Sequence, residues 1–197
     1  MVTYNPELTL GDARRLYFTL NNFAESDYEA NWVKMKIGPF PFAFPNTKGR
    51  AKAVKLHDLH HILTEYKTTW RGEAEIGAWE VATGLRHHYE GWLLDLLAFA
   101  IGLVIAPRGV YRAFMRGRQS ANLYRMEFCE EFLANRVGDV RRRLRLDREP
   151  APPSFEDNVQ FVFWALASVV TYLGTIAVGL LPFVVLALLF LWNVGVL

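Results

Sequence analysis

Residues 158–197 read NVQFVFWALASVVTYLGTIAVGLLPFVVLALLFLWNVGVL, forty positions without one charged side chain. As a single helix this run would be about 60 Å long, twice the roughly 30 Å hydrocarbon core of a bilayer. Two spans use the length if the chain turns at Gly179-Leu180-Leu181-Pro182, where glycine and proline supply turn residues. Residues 159–178 then form one span and residues 182–197 a shorter second one. That turn carries no polar side chain, so a kinked single span is the other reading. The expectation is a C-terminal transmembrane helical hairpin.

Upstream, Glu149-Pro150-Ala151-Pro152-Pro153 is a stiff segment that no helix can cross. Ser154 with Asp157 three residues on has the form of a capping box opening the next helix. The expected organisation is a helical domain over 1–149, a Pro-rich linker over 150–157, and the hairpin over 158–197. Before the linker, residues 107–148 hold eleven Arg, no Lys and five acidic side chains. Such a cluster beside a hydrophobic run belongs near anionic headgroups on the cytoplasmic side of a membrane.

The N-terminal body reads as helical, giving an all-α class. Thr9 caps a segment with Ala13, Leu16, Tyr17 and Leu20 at helical spacing. Breaks follow at Gly38-Pro39-Phe40-Pro41 and Phe44-Pro45-Asn46, then a polar loop over 46–52, and no alternating strand pair is evident. A helix holds Leu56, Leu59, Ile62 and Leu63. After a turn at Trp70-Arg71-Gly72, another runs through Ala74, Ala78 and Val81 to a cap at Gly84. Residues 92–106 are apolar except for Asp95 and too short for a comfortable span. Burial, an in-plane position at a membrane surface and a wall for a lipid tail share that composition.

Bulk properties fit an anchored domain: 52% of the 197 residues are hydrophobic and the net charge is only +2. No global field argues for nucleic acid. A single cysteine, Cys129, precludes an internal disulfide and reads as a small packing residue. Residues 1–12 contain neither an apolar signal core nor an Arg-rich transit pattern. The simplest address is a bacterial cytoplasmic membrane, with the N-terminal domain on the cytoplasmic side.

The chemistry is concentrated in His57-Asp58-Leu59-His60-His61, followed by eleven residues and Glu73. On a helix, His57 and His61 lie on one face, one turn apart, and Asp58 shares that side. Two imidazoles so placed can grip one metal ion. A neighbouring helix can return Glu73 to complete the shell, a donor set that suits zinc and also non-haem iron. Otherwise the carboxylates would serve as ion-pair partners of Lys55, Lys67 or Arg71. His60 points roughly 100° away and reads as a supporting or surface residue. His87, His88 and Glu90 read as exposed or interfacial.

His-Asp-x-x-His, eleven residues, then Glu resembles the signature of the ubiquinone (coenzyme Q) biosynthesis protein 4 family. The context Leu56-His57-Asp58-Leu59-His60-His61-Ile62-Leu63-Thr64 before Gly72-Glu73-Ala74-Glu75 is similar too. So are Ala113-Phe114-Met115-Arg116-Gly117-Arg118 and Val140-Arg141-Arg142-Arg143-Leu144, and the likeness covers about residues 40–146. The resemblance implies that His57, Asp58, His61 and Glu73 ligate a divalent metal, zinc before iron. It implies a helical, membrane-associated protein that binds isoprenoid lipid or a prenylated quinone precursor. Its expected work is oxidative decarboxylation of the prenylated hydroxybenzoate ring, with Asp58 or Glu73 relaying protons, or organisation of the biosynthetic enzymes. The hydrophobic C-terminus and the first forty residues depart from the family pattern. They support an alternative, an accessory subunit of a respiratory or photosynthetic membrane complex that retains the metal-site fold.

Overall fold

The fold is described from a computed structural model covering residues 3–37 and 40–193. In chain order its helices are α1 (Leu10–Asn21), α2 (Lys48–Thr64), α3 (Trp70–Thr83), α4 (Tyr89–Ile105), α5 (Pro107–Arg118), α6 (Glu130–Leu133), α7 (Val137–Arg143) and α8 (Phe155–Asn193). A short 3-10 turn, Glu25–Tyr28, and two antiparallel strands, β1 (Trp32–Ile37) and β2 (Phe40–Pro45), lie between α1 and α2.

The helices start where side chains can satisfy free backbone N–H groups. Thr9, Thr47 and Thr69 cap α1, α2 and α3, accepting from Asp12, Arg50 and Gly72 at 3.0, 3.1 and 3.2 Å. These caps shorten the expected loops. Residues 48–52 are the first turn of α2, and Trp70-Arg71-Gly72 opens α3 instead of preceding it. The predicted cap at Gly84 is present, with φ of +83°. In α1 the buried stripe is Leu10, Ala13, Arg14, Tyr17 and Phe18, whereas Leu16 and Leu20 are exposed.

The chain is mainly helical, and the strand pair corrects the expectation that no alternating strands pair. Trp32 pairs with Pro45 and Lys36 with Pro41. Pro41 and Pro45 are four residues apart, so both sit on one side of the ladder. A two-stranded sheet leaves half its N–H positions unpaired, which is where proline is tolerated. The predicted break at Gly38-Pro39 lies outside the described residues.

The core is built around α3, whose Ile76, Ala78 and Trp79 are fully buried, between α4 and α5. Leu56, Leu59, Ile62 and Leu63 of α2 pack into the same cluster, and Cys129 sits half-buried at its edge. Glycine permits the closest approach: a Cβ on Gly117 of α5 would stand 2.7 Å from the carbonyl oxygen of Trp79.

Five of the eleven clustered arginines are committed within the body. Arg141 donates to the carbonyls of Ile62 and Leu63 and pairs with Glu65, and Arg116 donates to Thr64 and Leu146. These guanidiniums occupy the end of α2, where the last carbonyls lack intrahelical donors and the helix dipole is negative. Arg118, Arg136 and Arg142 pair with Asp157, Glu7 and Asp139. Arg108, Arg112, Arg125, Arg143, Arg145 and Arg148 are exposed.

Ser154 and Asp157 form the predicted reciprocal cap, with Asp157 N–H donating to Ser154 Oγ at 3.1 Å and Ser154 N–H to Asp157 Oδ2 at 3.0 Å. The chain then runs without a turn as one helix of 39 residues, with Pro182 inside it. The hairpin expected at residues 179–182 is therefore absent. Nothing polar there offers the backbone a substitute for helical hydrogen bonds, and a proline removes only one. Among the described residues α8 is the one helix long and apolar enough to cross a membrane. Its first turns lie against α4 and α5 through Phe161, Trp164 and Ala165, and every residue from 172 to 190 is exposed.

Gly117→Val should overpack the α3–α5 crossing and cost about 1–3 kcal/mol. Thermal unfolding in detergent would register this as a lowered Tm, and an unchanged Tm would mean that the two helices can separate freely.

Candidate metal centre

The site forms where α2 faces the first turn of α3. Gly72 makes this possible: a Cβ there would meet the Lys67 carbonyl oxygen at 1.9 Å. With none, the 65–69 loop folds tightly over the start of α3 and brings Glu73 beside the exposed edge of α2. A carboxylate in a first helical turn is further favoured by the helix dipole.

His57 and His61 converge through their Nε2 atoms, 3.1 Å apart. Glu73 presents Oε2 to His57 Nε2 and Oε1 to His61 Nε2, each at 3.4 Å. Ligand atoms bound tetrahedrally at 2.0–2.1 Å from one ion stand about 3.3 Å from each other. The three side chains hold nearly that spacing. His57 and His61 are 20% and 2% exposed and Glu73 38%, so the carboxylate side is the one open to an incoming group. Two imidazoles, one carboxylate and an open side suit zinc or ferrous iron.

Both rings are oriented from behind. His61 Nδ1–H donates to the Tyr66 carbonyl oxygen at 2.9 Å, and Tyr17 stacks on the ring at 5.8 Å between centroids. His57 Nδ1 lies 3.0 Å from Glu80 Oε2. A carboxylate only accepts, so Nδ1 carries the proton and Nε2 is turned to the site. Such a partner behind a ligating histidine fixes its tautomer and strengthens its basicity.

Glu80 was not singled out from the sequence, yet it is the centre of the network. It is completely buried and also accepts from His60 Nδ1 at 2.5 Å and from Tyr124 Oη at 2.9 Å. His60 in turn accepts the Leu123 N–H at Nε2, at 2.8 Å, which makes it a buried supporting residue. Burial works against the charge on Glu80, but His57 and His60 hold it well below the usual carboxylate range. Burial and the Glu80 charge push Asp95 of α4 well above that range. Among the described residues Asp95 Oδ2 is buried without a hydrogen-bond partner. His57 Nδ1, Glu80 and Asp95 are close enough to form a second ligand group, but Glu80 is already satisfied by its donors.

Burial lowers the basicity of His57, but Glu80 and Glu73 outweigh it and raise its pKa well above the usual imidazole value. Burial raises that of Glu73, and hydrogen bonds from His57 and His61 bring it down to about 2. The pocket is thus poised for a positive charge, and a divalent ion would replace protons there.

Asp58 is placed differently from its three companions. It is 7% exposed and accepts from Tyr17 Oη at 3.3 Å and Tyr28 Oη at 2.5 Å, one hydroxyl on each oxygen. Burial raises its pKa despite His57 and His61 nearby. The converging group among the described residues is His57, His61 and Glu73, without Asp58. The alternative ion pairs are also not formed: Arg71 pairs with Glu75, and Lys55 lies over the Tyr28 and Phe128 rings. His87 is exposed and His88 half-buried, and neither joins a ligand group among the described residues.

No protein-family model, curated protein or solved structure matches the chain.

Metal titration of purified variants separates the roles. His61→Ala should abolish binding, and Glu80→Gln should weaken it about 10–100-fold. Asp58→Asn should keep one ion per chain but lose about 1–3 kcal/mol of stability, since the amide cannot accept from both tyrosines. Loss of the ion from Asp58→Asn, with Tm unchanged, would make Asp58 a ligand.

Proposed function

We propose that this chain is a membrane-anchored, metal-dependent protein of the ubiquinone biosynthesis protein 4 type, acting on a prenylated, carboxylated quinone precursor. The observation that supports this most directly is the convergence of His57 Nε2, His61 Nε2 and the Glu73 carboxylate at ion-binding distances with one side open. The same three positions belong to the His-Asp-x-x-His…Glu pattern that resembles that family.

A bound divalent ion, zinc in first place and iron in second, would supply a Lewis acid for the ring carboxylate. The chain's own groups do the rest. His57 and His61 are held rigid by Glu80 and the Tyr66 carbonyl. Of the two carboxylates expected to carry protons, Glu73 has the exposure such a role requires, while Asp58 is enclosed by tyrosine hydroxyls. α8 keeps the domain at the bilayer that dissolves a prenylated substrate. The charge-free helix and the exposed arginines before it support a reading in which the body lies on the cytoplasmic side of a bacterial inner membrane.

One observation favours a second reading. Among the described residues nothing stands within 4 Å of a Cβ placed at Gly174 or Gly179, which leaves this part of α8 free to pack against another membrane protein. The metal set would then staple an accessory subunit, or this protein would organise other biosynthetic enzymes.

Quinone profiles of cells lacking the protein, rescued with wild type or His61→Ala, decide between these. The expected outcome is a severalfold fall in ubiquinone, build-up of a carboxylated prenylated precursor, and rescue by wild type alone. Unchanged quinone, together with co-purification in a large complex, would transfer the reading to the accessory subunit.

A further inference from the structure

α4 carries an apolar face that none of the described residues covers. Leu93, Leu94, Val104 and Ile105 are 46%, 36%, 82% and 50% exposed, and Leu97 and Ile101 are half-buried between them. At 100° per residue these six fall on one side of the helix. The opposite side, Gly91, Asp95, Phe99 and Gly102, is buried against the core. Trp92, Leu96 and Leu103 lie on the flank between, where α8 is held. Asp95, the only acidic residue from Gly91 to Ile105, points inward, so the outer stripe is uncharged over some 20 Å of helix.

The contacts with α8 fix how α4 lies. Tyr111 of α5 meets Asn158 in the first turn of α8, at 2.8 Å. Phe99 of α4 and Phe114 of α5 both meet Phe161, at 5.8 and 5.4 Å between centroids. Trp92 stacks on Trp164 at 5.0 Å. Along α8, therefore, α5 comes first and α4 lies beyond it, next to the segment that leaves the body. Between Trp92 and Phe99, α4 advances about 10.5 Å, while the partners Trp164 and Phe161 are only about 4.5 Å apart along α8. The two helices cross steeply. α5 and the core lie beneath α4, so its outer stripe faces the direction in which α8 departs.

The free part of α8 matches a bilayer. Residues 172–193 would span about 33 Å, against a hydrocarbon core of roughly 30 Å. Tyr172 and Trp192 stand near its ends, where amphipathic rings mark membrane interfaces. The boundary on the body side thus falls about two turns beyond Trp164, within reach of a helix crossing there. Arg86 and the 72%-exposed Tyr89 precede the stripe and Arg108 follows it, all exposed, as in helices lying at a lipid surface.

We propose that α4 lies in the plane of the membrane, its outer stripe seated among the headgroups and upper acyl chains of the bilayer that α8 enters. The occupant of this face is lipid. The inference rests on reading α8 as a membrane span, and it makes the body a monotopic domain held flat against the surface.

The test uses the full chain with Cys129→Ser, reconstituted in vesicles of phosphatidylcholine and phosphatidylglycerol. Single spin labels are placed through Val104→Cys and Leu93→Cys on the stripe, Val184→Cys in α8, and Glu131→Cys as a surface reference. All four sites are exposed, so labelling leaves the core intact. Collision with oxygen should exceed collision with a water-soluble nickel chelate at Val184, Val104 and Leu93, with the ratio reversed at Glu131. A lipid signal at Val184 with a water signal at Val104 and Leu93 overturns the proposal and leaves the anchor intact. A water signal at Val184 as well overturns both. Spin–spin broadening at Val104 between labelled copies overturns it in favour of a second copy on this face.

Discussion

A single carboxylate with no exposure to water, Glu80, holds the candidate site and much of the body in register. It receives donors from two residues of α2, His57 and His60, and from Tyr124 in the segment after α5, while Asp95 of α4 stands beside it. An ionised carboxylate in a protein interior costs several kcal/mol unless its oxygens are satisfied. Three donors meet that requirement, and each belongs to a part of the chain that must then be in place. The core around Trp79 and the histidine-bearing edge of α2 are thereby set by the same atom group. His57 cannot drift without leaving a buried charge short of a donor.

That constraint explains why the site was only partly legible in sequence. His57, His61 and Glu73 could be picked out because their spacing places imidazoles one turn apart and a carboxylate at the next helix start. Glu80 and Asp95 carry no such signal. Each is one acidic residue in a helix, and only the three-dimensional crossing of α2, α3 and α4 brings them together. The one available hint was that Asp95 interrupts an apolar stretch, which marks either a surface or a paired interior group. Asp58 shows the opposite case. Its position beside His57 made it look like a ligand, but tyrosines from α1 and the 3-10 turn, both outside the motif, capture its oxygens.

The fold was legible where local chemistry decides it and not where tertiary contacts do. The capping box at Ser154, the cap at Gly84 and the buried stripe of α2 followed from short-range rules. The strand pair did not, because proline at two of its positions reads as a break unless the sheet is known to have only two strands. The arginine run was read as a headgroup anchor. Nearly half of it terminates α2 or pairs within the body, a need that arises only once α2 and α7 are neighbours.

The long helix α8 shows how one element can serve two solvents. Its first turns carry Phe161, Trp164 and Ala165 at helical spacing and pack on the body, so there it behaves as an amphipathic helix of a globular domain. Beyond residue 171 it is apolar on every side, a pattern stable in hydrocarbon but not in water. Because the helix is unbroken between these regimes, the body cannot rotate freely about a linker. The Pro-rich segment at 150–153 precedes the helix and so gives no freedom between body and span. Whatever surface the body presents along α8 is held at a fixed height and tilt relative to the span. The edge of α2 that carries His57 and His61 therefore keeps one orientation relative to α8.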